Sequence, residues 1–167
     1  MDATIINPFV KAAVRILGQE LGQIPEKEAL QLQDTYYTTE DVTVMIGVTG
    51  SVEGTMLVGM TESTARNIAA SMLGCKLVLF DEMAESALAE LGNMIAGSAS
   101  AELEKAGYQC RISPPSLIVG RGTIISTSRM RRLVIPFRVP GGRIRISVAL
   151  RRAKEANQEG SRCSGTP

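Results

Sequence analysis

Residues 133–150, LVIPFRVPGGRIRISVAL, decide the fold. Leu133, Ile135, Phe137 and Val139 occupy every second position up to Pro140-Gly141-Gly142, and Ile144, Ile146, Val148 and Leu150 do the same after it. Alternation on both sides of a glycine-rich turn predicts an antiparallel hairpin in which each strand buries one face only. A second hairpin has the same form. Val42, Val44, Ile46 and Val48 alternate with Thr43, Met45 and Gly47, Thr49-Gly50-Ser51 turns the chain, and residues 52–60 return.

A helix precedes each hairpin. Asn7 is placed as a cap with Pro8 at the first helical position, and Phe9, Ala12, Ala13, Ile16 and Leu17 follow at helical spacing to a stop near Gly22. The second helix is longer, DEMAESALAELGNMIAGSASAELEKAG, opened by Asp81 and closed by Gly107. Between them, Leu30–Thr38 reads as a strand, and Thr61 caps a short helix through Ile68 and Met72 that Gly74 ends. Residues 110–120 read as a strand interrupted by Pro114-Pro115, which requires an edge or a bulge because proline has no N–H for a ladder. Residues 123–130 carry no clear pattern, and from 151 onward RRAKEANQEGSRCSGTP lacks apolar periodicity and is expected to be a disordered tail. The common order of helix then one-sided strands is a quasi-repeat. It predicts one α+β domain over residues 1–150, two layers deep, with two long helices packed on one face of a largely antiparallel sheet.

The 167 residues are 44% hydrophobic, enough to bury a core without disulfides or a structural metal. Three cysteines, Cys75, Cys110 and Cys163, stand far apart with no CxxC spacing, so free thiols are expected. The chain has no histidine. That removes Ser-His-Asp and Cys-His pairs, histidine phosphotransfer and histidine-ligated metals together. Chemistry is left to carboxylates, amides, hydroxyls and lysine. The first residues show no basic segment followed by an apolar run and cleavage site, and no long apolar stretch occurs, which predicts a soluble, cytosolic protein away from membranes.

A net charge of +1 hides an asymmetry: residues 1–107 hold fifteen acids and six bases, net −9, whereas residues 108–152 hold ten arginines and no acid. The two parts should attract each other. A basic half is also the mark of a nucleic-acid surface, but here the arginines alternate with strand residues and the aromatic residues that stack on bases are scarce. A solvated sheet face is the expectation.

On the long helix, at about 100° per residue, Ala84, Leu88, Leu91, Ile95 and Ala99 form one stripe. Ser86, Glu90, Asn93 and Gly97 fall within about 60° of one another on the opposite side. A face that simply meets water is one reading of this line. Against it, Gly92 and Gly97 each cost about 1 kcal/mol relative to alanine in a helix interior, and asparagine is a mediocre helix former. Gly97 either gives clearance for an approaching surface or permits close packing of another helix.

Ser86-Ala-Leu-Ala-Glu90-Leu-Gly-Asn93-Met-Ile-Ala-Gly97 resembles the (Asp/Ser)-x-x-x-Glu-x-x-Asn motif of the CheC, CheX and FliY phosphatases of bacterial chemotaxis. The likeness extends over about residues 5–150 through Ile6-Asn7-Pro8-Phe9, Ala12, Pro114-Pro115-Ser116 and the closing hairpin. CheC-type members often carry a second Glu-x-x-Asn pair on the first helix; here that helix has none, which implies one site per chain, as in CheX-type members. The resemblance implies a CheC-like fold, a homodimer joined through edge or proline-interrupted strands, and dephosphorylation of a CheY-type response regulator whose aspartyl phosphate and Mg²⁺ belong to the partner. No cofactor of its own is implied. In that setting Asn93 orients the attacking water, as a glutamine does in GTP-hydrolysing proteins. Glu90 pairs with a lysine beside the phosphorylated aspartate, or acts as a general base, a role that charge repulsion from the phosphoryl group disfavours. Ser86 is a peripheral partner contact, or faces water. Gly97 provides clearance. The competing functional class is a non-catalytic module that binds a response regulator or a flagellar switch component.

Overall fold

The computed structural model describes residues 2–127 and 130–153. Three helices, α1 (Ala3–Leu21), α2 (Glu62–Leu73) and α3 (Glu82–Lys105), lie against a sheet whose central strands are β4 (Val42–Gly50), β5 (Val52–Met60), β9 (Arg132–Val139) and β10 (Gly142–Arg152). Short strands extend it: β1 (Glu26–Lys27) and β2 (Gln31–Gln33) pair with β9, while β6 (Cys110–Ile112) and β7 (Ser116–Val119) pair with β4. A separate two-stranded arm joins β3 (Tyr36–Thr38) to β8 (Ile124–Ser126). All of these pairings are antiparallel. The two predicted hairpins are present, and their return strands β5 and β10 pair with each other at the centre, from Val52 opposite Arg152 to Met60 opposite Ile144. This is the α+β arrangement that the alternation implies.

The core lies between sheet and helices. Val42, Val44, Ile46 and Val48 of β4, Met56, Val58 and Met60 of β5, and Ile144, Ile146, Val148 and Leu150 of β10 meet Phe9, Leu17, Ile68, Leu88, Leu91 and Ile95 from the helices. Capping follows the expected residues for two helices. Thr61 Oγ1 accepts from Thr64 N at 3.3 Å, and Gly74 takes φ 65° to end α2. Asp81 Oδ1 accepts from Ala84 N at 3.0 Å, and Gly107 lies at φ 91° just past α3.

Four expectations need correction. The first helix begins at Ala3, not after Asn7: the Asp2 carboxylate caps it by accepting from Thr4 N at 3.0 Å, and burial of Ile5 and Ile6 rewards the additional turn. Pro8 therefore sits inside α1. Leu30–Thr38 is divided between β2 and β3, which belong to different sheets. The strands do not bury one face only, because the β3–β8 arm crosses the second face. Thr43, Leu57, Val134 and Ser147 on that face are buried, and the Tyr37 hydroxyl lies 3.4 Å from Thr43 Oγ1 and against Gly59, where a Cβ would have no room. Last, β10 continues through Arg152 opposite Val52, so the start of the supposed tail is strand; residues 154–167 lie outside the described residues.

The arm rests on Arg132, which is buried. Its guanidinium donates to the carbonyls of Asp34 at 3.1 Å and Tyr36 at 2.5 Å and to Gln33 Oε1 at 3.0 Å, and it lies over the Tyr37 ring at 5.1 Å from the centroid. Burial lowers the pKa of Arg132 from its ordinary value and raises that of Tyr37. Six other arginines of the second half, on strands or in loops, meet acids of the first half, as the charge asymmetry predicts. Arg121 pairs with Asp41, Arg138 and Arg143 with Glu28, Arg145 with Glu40, Arg151 with Glu53 and Arg152 with Asp2.

Candidate active site

α3 packs against α1 and α2 and onto β4, β6 and β7, leaving one face free. The expected stripe of Ala84, Leu88, Leu91, Ile95 and Ala99 is wholly buried. On the free face Ser86 and Glu90 are exposed, and Asn93 and Gly97 are half-buried. The four predicted residues therefore stand together on one line. The Asn93 amide donates through Nδ2 to Glu90 Oε2 at a long 3.4 Å. An amide held by its nitrogen presents its oxygen, Oδ1, as an acceptor.

The two glycines have different reasons. A Cβ on Gly92 would meet Val44 Cγ1 at 2.8 Å and Ile46 Cδ1 at 3.3 Å, so Gly92 is required for the helix to approach β4. A Cβ on Gly97 would meet only Ile112 Cδ1, at an ordinary 3.8 Å. No other helix comes close enough to require glycine there. The cost in helix propensity at Gly97 is unexplained by packing within this chain.

The line lies on a convex helix face rather than in a deep cleft. Ser86 and Glu90 form one wall of a shallow depression of about 520 Å³, shared with Met72, Leu73, Glu82, Met83 and Ala87. A larger depression of about 750 Å³ lies elsewhere, between the start of α2 and the β9–β10 turn, and includes none of the predicted residues. Among the described residues, no group of three or more Cys, Asp or Glu side chains is placed to hold a metal. A helix face of this kind suits a macromolecular partner better than an enclosed small molecule.

Two features around α3 were not evident from spacing. Arg15 of α1 donates to Ser98 Oγ, beside Gly97, and brings a cation to this edge of α3. Val78 and Leu79, in the connector before Asp81, are 82% and 71% exposed. The run Leu77-Val78-Leu79-Phe80 was the available signal, since four consecutive apolar residues in a connector cannot all face inward.

Residues 42–138 match the family model described as chemotaxis phosphatase CheX, and this span contains all of α3. The chain belongs to the CheX family. Its sequence is 31% identical over 122 residues to the CheY-P phosphatase CheX of Thermotoga maritima, covering 72% of this chain and 79% of that relative. The crystal structure of the chemotaxis protein CheX from Desulfovibrio desulfuricans superposes with a TM-score of 0.78 at 27% identity, covering 89% of this chain and 99% of the other. A CheX–CheY–BeF3–Mg²⁺ complex from Borrelia burgdorferi contains a chain similar to this one with a TM-score of 0.78 and 31% identity, over 88% of this chain and 97% of that one. The CheC-like architecture expected from the motif is thus the architecture of this CheX-family chain.

Proposed function

We propose that this CheX-family protein accelerates hydrolysis of the aspartyl phosphate on a CheY-type response regulator, in chemotaxis or a related two-component pathway. The observation that carries this reading is the outward line of Glu90 and Asn93, joined by the amide-to-carboxylate contact at 3.4 Å, in a chain similar to a CheY-P phosphatase. The attacking group is water. The phosphoryl group and Mg²⁺ come with the regulator, a division supported by the composition of the Borrelia complex, and this chain brings no cofactor of its own.

Phosphoryl transfer with little covalent chemistry depends on positioning and electrostatics. Asn93 Oδ1 accepts a hydrogen bond from the water and turns a water lone pair toward phosphorus, in line with the departing aspartate oxygen. Glu90 holds the amide by its nitrogen and pairs with a lysine of the regulator beside the phosphorylated aspartate. Ser86 is a peripheral contact. Gly97 gives the regulator backbone room to approach. α1 carries no equivalent Glu-x-x-Asn pair, so each chain has one site.

Residues 1–150 act as one unit in this reading, supported by a core cluster that runs from Ile5 to Leu150. The protein works in the cytoplasm, where its substrate resides; no helix among the described residues is long and apolar enough to cross a membrane. A homodimer through edge strands is supported by exposed Leu32, Tyr36, Val119 and Ile124 on short edge elements. Nucleic acid is not a partner, because six strand and loop arginines already face carboxylates and a seventh is buried.

Mixing the protein with phosphorylated CheY-type regulators and following phosphate loss tests the proposal. A shortened phosphate lifetime is the expected result. Binding of the regulator with an unchanged lifetime would replace it with the non-catalytic module.

A further inference from the structure

The connector into α3 and the helix ends on either side of it carry an apolar shelf that the core does not use. Leu73 at the end of α2, Val78 and Leu79 in the connector, and Met83 in the first turn of α3 are all exposed, Val78 and Leu79 most of all. Their exposure is imposed by the backbone. Leu77 and Phe80, on either side, pack against the core, and Arg66 Nη1 donates to the Val78 carbonyl at 3.0 Å. The connector is therefore pinned at three points with its two middle side chains turned outward. Contiguous exposed aliphatic residues on a fixed backbone mark an interaction surface.

Part of the shelf shares one depression with the polar line: Leu73 and Met83 line it together with Ser86 and Glu90, and Val78 and Leu79 lie on the connector that runs between these two apolar residues. Reach also links them. Met83 lies ten residues before Asn93, about 15 Å along the helix axis at its usual rise. A globular partner in a stable interface covers about 800 Å² per side, a disc of about 16 Å radius. A regulator centred on Asn93 therefore reaches Met83, the edge of the shelf, with its rim. The depression is lined by two carboxylates, Glu82 and Glu90, and by no base.

We propose that Leu73, Val78, Leu79 and Met83 are the apolar part of the regulator-docking surface. They seat an aliphatic side chain that is flanked by lysine or arginine on the phosphorylated receiver domain, and so contribute to the choice among regulators. The inference rests on the phosphatase reading given above. The polar line acts on the phosphoryl group common to all such regulators, whereas the shelf reads a surface that differs between them.

The test is steady-state kinetics of the full-length protein with the phosphorylated regulator on which the wild type acts fastest. The double variant Val78→Ser/Leu79→Ser should raise KM by about threefold or more, since apolar contacts away from an interface centre contribute less than central anchors, with kcat within about twofold because binding alone is affected. Val78→Ile/Leu79→Ile should keep the wild-type KM. Both variants should retain the wild-type melting temperature, since the substituted side chains lie outside the core. An unchanged KM in the serine variant overturns the shelf assignment while leaving the phosphatase reading intact. Wild-type protein with no effect on any regulator overturns both. A serine variant that loses self-association in sedimentation with unchanged KM assigns the shelf to a second copy of this chain and overturns the proposal.

Discussion

On the free face of α3, the Asn93 amide nitrogen points back one turn to the Glu90 carboxylate, 3.4 Å away. Under the proposed function this contact divides the labour between the two residues. Asn93→Ala removes the acceptor for water but leaves the docking carboxylate, so affinity for the phosphorylated regulator should persist while kcat falls by about 100-fold or more, the scale for loss of a positioned polar group. Glu90→Ala should weaken binding and lower kcat, because it removes the lysine partner and frees the amide to rotate. Phosphate-release assays beside binding measurements on the two variants check this. Equal effects of both variants on both quantities would contradict it.

Gly92 and Gly97 should respond in opposite directions to the same substitution. At Gly92 the added methyl meets Val44 at 2.8 Å. Overpacking costs about 1–3 kcal/mol, against a gain of about 1 kcal/mol in helix propensity, so Gly92→Ala should destabilise or at best be neutral in urea unfolding. Gly97→Ala gains the propensity term without a clash and should stabilise by up to about 1 kcal/mol. A larger residue, Gly97→Leu, should keep that stability and raise KM for the regulator.

Arg132 holds the β3–β8 arm by donating to two backbone carbonyls and one side-chain amide. Arg132→Ala leaves those acceptors unpaired and uncovers Tyr37. A loss of about 2–4 kcal/mol in denaturant unfolding is expected for a buried charged hydrogen-bonding group. Lysine should recover little, because its point charge cannot serve the same spread of acceptors.

Asp2 links the start of α1 to the end of β10 through Thr4 and Arg152. The Thr4 hydrogen bonds, followed by the Arg152 contact, hold its carboxyl below the ordinary 3.8. A carboxyl with a lowered folded pKa contributes stability above the unfolded value and loses it as pH falls through the folded value. Asp2→Ala should therefore lower the melting temperature at neutral pH. Melting curves at decreasing pH should draw together with the wild type as pH falls through the lowered folded value and the carboxyl is protonated in both states. A difference that persists in acid would contradict the assignment.

Much of this was legible because it rests on local rules. The alternation in residues 42–60 and 133–150 specified both hairpins, and Thr61, Asp81 and Gly74 marked their helix ends by chemistry that acts within one turn. The polar line was legible from 3.6-residue periodicity alone, although its meaning came from the motif. The failures share one cause, contacts between distant segments. Pro8 looked like a first-turn proline because the gain from burying Ile5 and Ile6 depends on the rest of the core. The arm was illegible because its anchor, Arg132, looks like any other strand arginine until Asp34 and Tyr36 come beside it. Gly92 and Gly97 looked equivalent, and only the positions of Val44 and Ile46 on β4 separate them.

The pairing of β5 with β10 sets a schedule for folding. The strands that form the middle of the sheet are 84 to 100 residues apart in sequence, from Met60 opposite Ile144 to Val52 opposite Arg152. Closing such a contact is slow compared with forming a hairpin or helix. During synthesis the first hairpin and α2 emerge long before β10, so β5 waits with an unpaired edge, a condition that invites pairing with other chains. The last eleven residues of the sheet thus act as a closing strip. Truncations that enter 142–152 should yield aggregation rather than a smaller folded protein.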